Sequence, residues 1–120
     1  MEKNVLKKKS NKELKQITDE VVERILDNGK LKISKIILYG SYARGTADEE
    51  SDIDLMILCE NSDDEAREFS KEIFHRADAV AYEHDIMIQT NVKNTDFFYK
   101  WVDALPYYRN VDQEGVVLYG

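Results

Sequence analysis

Apolar positions in this chain follow two rhythms. From Leu14 they recur at Ile17, Val21, Ile25 and Leu26, the spacing of one helix face. Ser10-Asn11-Lys12-Glu13 has capping-box form ahead of that helix, and Asn28-Gly29 stops it. The rhythm then tightens. Lys35-Ile36-Ile37-Leu38-Tyr39 is a β-branched apolar run closed by Gly40, which predicts a buried strand. Ser41-Tyr42-Ala43-Arg44 predicts the first turn of a short helix ended by Gly45, and Ile53 to Cys59 a second strand. Ser62-Asp63-Asp64-Glu65 repeats the capping pattern before Ala66, Phe69, Ile73 and Ala77 on one helix face. His84 to Gln89 reads as a third strand, Thr95 to Leu105 as a helix that Pro106 interrupts, and Val116 to Tyr119 as a last short strand. This order predicts an α/β (α+β) domain, helices packed on a small mixed sheet. Residues 1–9 read as a flexible basic arm and residues 10–120 as one domain without repeats or linkers.

Within that frame two short segments carry chemistry. Gly40 lets the backbone turn and leaves room for a bulky anion, and the free N–H groups of a helix start plus the Ser41 hydroxyl form a phosphate-binding corner. A Gly-Ser after a strand is by itself an ordinary turn. The picture changes at Asp52-Ile53-Asp54, where alternation along a strand points both carboxylates the same way. Like charges side by side on an apolar strand repel unless a cation lies between them, and hard oxygen ligands suit Mg²⁺. The plainer alternative makes Asp52 a turn cap and Asp54 a solvated strand end; the apolar run Leu55 to Leu58 argues against an exposed edge. Asp85 enters the third predicted strand much as Asp52 enters the second, so pairing of the two strands would bring three carboxylates toward metal ions on the order of 4 Å apart. A strand-end residue facing water is the competing reading.

Taken together these residues resemble the minimal nucleotidyltransferases of the DNA polymerase β superfamily, whose signature is Gly-Ser, about ten residues, then Asp-x-Asp. Here Tyr42 to Ser51, ten residues, separate Gly40-Ser41 from Asp52-Ile53-Asp54. Gly40, Ser41, Arg44, Gly45, Ser51, Asp52, Asp54 and Leu55 fit the small-protein subgroup, as do Tyr108 to Val111 and Glu114 to Tyr119 at the tail. The resemblance implies a palm-like nucleotidyltransferase fold, two Mg²⁺ ions and ATP as nucleotide donor. It implies that Ser41 meets the β- and γ-phosphates, that Asp52 and Asp54 bind metal, and that Asp85 completes one metal site and helps deprotonate the acceptor. Arg44 and Ser51 match motif positions on the nucleotide side, Arg44 either meeting phosphate or clamping the loop through Asp48 or Asp52. The acceptor implied is a HEPN-domain protein encoded alongside, in a toxin–antitoxin pair. Two other functions stay open: a non-catalytic antitoxin or scaffold, and a small-molecule transferase of the aminoglycoside type.

Composition narrows these options. The net charge of −7 argues against general nucleic-acid binding. The charge is uneven: residues 1–15 carry six lysines against Glu2 and Glu13, whereas residues 48–68 carry ten acids against Arg67. No apolar stretch approaches a membrane span, and the single Cys59 excludes an internal disulfide and fits a reducing cytoplasm. Cys59, Met56 and Met87 read as core, and His75 as a surface residue. His84 reads as forming a strand-end hydrogen bond. Phe97, Phe98, Trp101, Tyr107 and Tyr108 read as an aromatic cluster, part of it open to a second copy or a partner.

Overall fold

The computed structural model describes residues 8–120, so most of the basic arm, residues 1–7, lies outside the described residues. Helix α1 (Asn11–Leu26) begins where the sequence places it. The Ser10 side chain accepts from the Glu13 N–H, and the Glu13 carboxylate accepts from the Ser10 N–H. Asn28 holds the turn after it, its amide nitrogen donating to the Ile25 carbonyl and its oxygen accepting from the N–H groups of Lys30 and Leu31. Strands β1 (Ile33–Tyr39) and β2 (Ile53–Cys59) flank the single turn of α2 (Ser41–Arg44). Helix α3 (Asp63–His84) follows, then β3 (Ile88–Asn94), α4 (Thr95–Trp101), α5 (Pro106–Glu114) and β4 (Val116–Tyr119).

The four strands form one mixed sheet in the order β3-β2-β1-β4, with β2 and β3 parallel and the other neighbours antiparallel. Strand β2 is buried on both faces, and its alternation sorts the molecule into two cores. Ile53, Leu55, Ile57 and Cys59 face α1 and α3 together with Ile17, Val21, Ile25, Ile73 and Ala77. Met56 and Leu58 face the other way, under Phe98 of α4 and Tyr108 and Val111 of α5. Each fully buried aliphatic side chain contributes about 1.5–3 kcal/mol. Gly115 is needed where the chain leaves α5, because an added Cβ would lie 2.4 Å from a methyl of Ile37 and 2.3 Å from the Val111 carbonyl oxygen.

Two boundaries differ from the sequence reading. The strand predicted from His84 to Gln89 begins only at Ile88: His84 is the last residue of α3, and Asp85 to Met87 are a short connection. The apolar stripe continues through Ala77, Val80 and Ala81, and the helix stops at Asp85 in the left-handed conformation, φ 52°. Pro106, read as an interruption, opens α5 at its first turn, where a missing N–H costs nothing. Among the described residues no helix is long and apolar enough to cross a membrane.

Candidate active site

The register of the sheet determines what surrounds the carboxylate pair. Asp54 lies opposite Tyr39 of β1 and Gln89 of β3. It shares its parity with Met56 and Leu58, so Asp52 and Asp54 sit on the α4/α5 face, at the end of β2 next to the β1–α2 turn. Gly40 stands directly against Asp54. A Cβ built on Gly40 would lie 2.4 Å from Asp54 Oδ2, and Gly40 itself has φ +81°, a conformation that side chains resist. The glycine is thus required twice, by the turn and by the carboxylate packed on it.

Helix α2 begins at that point. No side chain caps its start; the Arg44 N–H donates to the Gly40 carbonyl, and the N–H groups of Ser41, Tyr42 and Ala43 ahead of it are left without a helical partner. Its other end is tied by Gly45 and Thr46, whose N–H groups both reach the Ser41 carbonyl. The half-buried Ser41 therefore sits beside donors that face the carboxylate end of the sheet. Arg44 pairs with Glu114 at the end of α5, 3.6 Å away, and not with Asp48 or Asp52 as a loop clamp would require. Ser51 does hold the loop: its hydroxyl accepts from the Asp48 N–H and donates to the Asp48 carboxylate.

The electrostatics match a cation site. Burial raises the Asp54 pKa above the ordinary carboxylate value, the Asp52 charge pushes it the same way, and Arg44 opposes both. Gln89 Nε2 donates to Asp52 Oδ2 at 3.2 Å, partly satisfying that carboxylate without adding charge. No motif singles out Gln89; only the parallel pairing of β3 with β2 puts a neutral amide beside the pair. Tyr39, its phenol kept neutral by burial, shares a hydrogen bond of 2.7 Å with Tyr107, which also accepts from Asn91. These hydroxyls extend the polar surface from Asp54 toward α5.

Asp85 does not join the pair in one ligand group. Among the described residues, the group of three metal-type side chains whose ligand atoms all lie within 4.8 Å of one another is Glu20, Glu83 and His84. That group belongs to helix packing: His84 contacts Glu20 at 3.1 Å across α3 and α1, and Arg24 reaches Glu83 at 3.8 Å. His84 therefore bonds between helices, not at a strand end. Asp85 instead lines a cleft of about 860 Å³ between the loop after α2 and the C-terminal end of α3. The cleft is bordered by Ser51 and Asp52 but not by Gly40, Ser41, Arg44 or Asp54. Asp52 is the hinge between two spaces, a phosphate-and-cation corner on the α4/α5 face and an open cleft beyond it.

Comparison with known proteins places the chain in a family. The family described as nucleotidyltransferase domain matches residues 14–108. The chain is 33% identical over 100 residues to a Methanocaldococcus jannaschii protein named "Putative protein adenylyltransferase MJ0604", covering 83% of this chain and 92% of that one. A second protein of that organism, named "Putative protein adenylyltransferase MJ1305", is 44% identical over 50 residues, 42% of this chain and 34% of its own length. A solved chain from a crystal structure of a toxin–antitoxin with AMP-PNP shares the fold, with a TM-score of 0.50 over 86% of this chain and 73% of that one, at 21% identity.

Proposed function

The chain belongs to the nucleotidyltransferase domain family, and on that premise we propose that it transfers AMP from ATP to a hydroxyl of a partner protein. The observation that carries the reading is the packing of Asp54 on Gly40 at the start of α2. It joins, at one end of one sheet, a corner of free N–H donors and a strained pair of carboxylates. In this reading residues 10–120 act as a single domain, Ser41 and the first turn of α2 receive the triphosphate, and Arg44 and Ser51 shape the wall beside it.

The donor set fits Mg²⁺: oxygen ligands only, and a repulsion between Asp52 and Asp54 that a cation relieves. Bound there, two Mg²⁺ would neutralise the triphosphate and favour in-line displacement at the α-phosphorus. Asp52 and Asp54 hold the charge that makes this possible, and Gln89 keeps Asp52 oriented. The acceptor oxygen bonds to the α-phosphorus, the bond to the bridging oxygen of the β-phosphate breaks, and pyrophosphate leaves. Asp85, on the cleft that Asp52 borders, is the carboxylate this reading assigns to the hydroxyl proton.

The name carried by the archaeal relative supports a protein acceptor, and the motif resemblance points to a HEPN-type toxin encoded beside this chain, within the cytoplasm. The test mixes purified chain, Mg²⁺, ATP and that neighbour. Intact-mass spectrometry should find AMP on the neighbour with wild type and none with Asp54→Asn. Should the variant protect cells from the neighbour as fully as wild type, with no adduct in either case, a contact-only antitoxin is the better account.

A further inference from the structure

The cleft beyond Asp52 is a space the phosphate corner does not use. Its walls carry Glu49, Glu50, Asp52, Asp78 and Asp85, drawn from the loop after α2 and the C-terminal half of α3. The one lysine among them, Lys9, directs its ammonium to the His84 carbonyl oxygen. Among the described residues, Glu49, Glu50, Asp78 and Asp85 have no cationic side chain within ion-pair distance. Two exposed side chains complete the wall, Tyr82 at 89% and Met87 at 61% exposure, offering flat and adaptable contact surface.

We propose that this cleft is the acceptor subsite, and that it takes a hydroxyl side chain carried on a basic polypeptide segment. The inference rests on the nucleotidyltransferase reading and adds the class of acceptor. Three features support it. The cleft meets the carboxylate pair at Asp52, so a chain lying in it can present a hydroxyl to the corner where the donor is held. The side chains of the phosphate corner, Ser41 and Arg44, stand outside it, leaving the cleft free for the second substrate. Five carboxylates line it against one lysine, whose ammonium is already engaged, which favours lysine- and arginine-rich segments over acidic ones.

The test is fluorescence anisotropy with a labelled peptide of lysines and arginines around one tyrosine. Wild type should bind it, and an Asp78→Asn/Glu49→Gln double variant should bind about tenfold more weakly. A Glu68→Gln/Asp112→Asn variant loses the same charge on α3 and α5 away from the cleft, and should bind as wild type does. Equal weakening in both variants, or no binding by wild type, overturns the proposal. Failure of the transferase reading shows differently: peptide binding survives while no AMP reaches any acceptor from ATP.

Discussion

Asp54 is under opposing demands, and its titration exposes them. Its folded-state pKa lies above the unfolded value because burial and the Asp52 charge disfavour the anion. Such a group contributes stability below its unfolded pKa, and that contribution is lost as pH rises through the folded pKa. At neutral pH without a cation the ionised Asp54 therefore works against folding. Asp54→Asn should melt above wild type at pH 7 in EDTA, and the gap should close on acidification toward the carboxylate range. Under the proposed mechanism the same substitution should cut AMP transfer on the order of a thousandfold, since it would remove a ligand for the charge-neutralising ions. Gly40→Ala should cost about 1–3 kcal/mol in denaturant unfolding, because the new Cβ meets Asp54 and φ +81° resists it. Ser41→Ala should leave unfolding unchanged and weaken ATP binding, since only a hydroxyl is lost while backbone donors remain.

At the scale of elements, the end of α3 and the cover of α4 and α5 decide how the site is built. Asp85 caps α3 with positive φ, so Asp85→Gly should stabilise the fold by up to about 1 kcal/mol in thermal melts. Asp85→Asn keeps the cap and removes the charge, so a fall in transfer rate at unchanged stability is the expected signature of a proton acceptor. Phe98 is fully buried between α4 and the sheet, against Tyr108 at 4.9 Å between ring centroids. Phe98→Ala should cost about 3–5 kcal/mol. It should also loosen the face on which Asp54 lies, so that nucleotide affinity falls along with stability.

Over the whole molecule, the site depends on one sheet holding two cores in register. Nucleotide should stabilise this assembly only through the carboxylate end. ATP with Mg²⁺ should raise the melting temperature, and EDTA should remove most of that shift. Equal shifts with and without EDTA would place the nucleotide elsewhere. The basic start of the chain and its acidic middle act at this scale too. A net charge of −7 disfavours long-range attraction of polyanions.

Much of this was written locally in the sequence. Capping residues at Ser10 and Ser62, the β-branched runs of β1 and β2, and the Gly-Ser to Asp-x-Asp spacing act over a few residues, and local sterics and hydrogen bonding enforce them wherever the chain goes. What depended on residues far apart was not legible. Ile86, Met87 and Ile88 form an apolar run like that of a strand, but ladder pairing starts only where Ile53 meets Ile88, and the stripe of α3 takes the residues up to His84. Gln89 beside Asp52 and Arg44 on Glu114 exist because sheet order and helix packing bring together positions separated by 37 and 70 residues. Periodicity reports which face a residue belongs to. Which residue from elsewhere stands on that face beside it is decided by strand order and register, and those settle only when both cores close on the sheet.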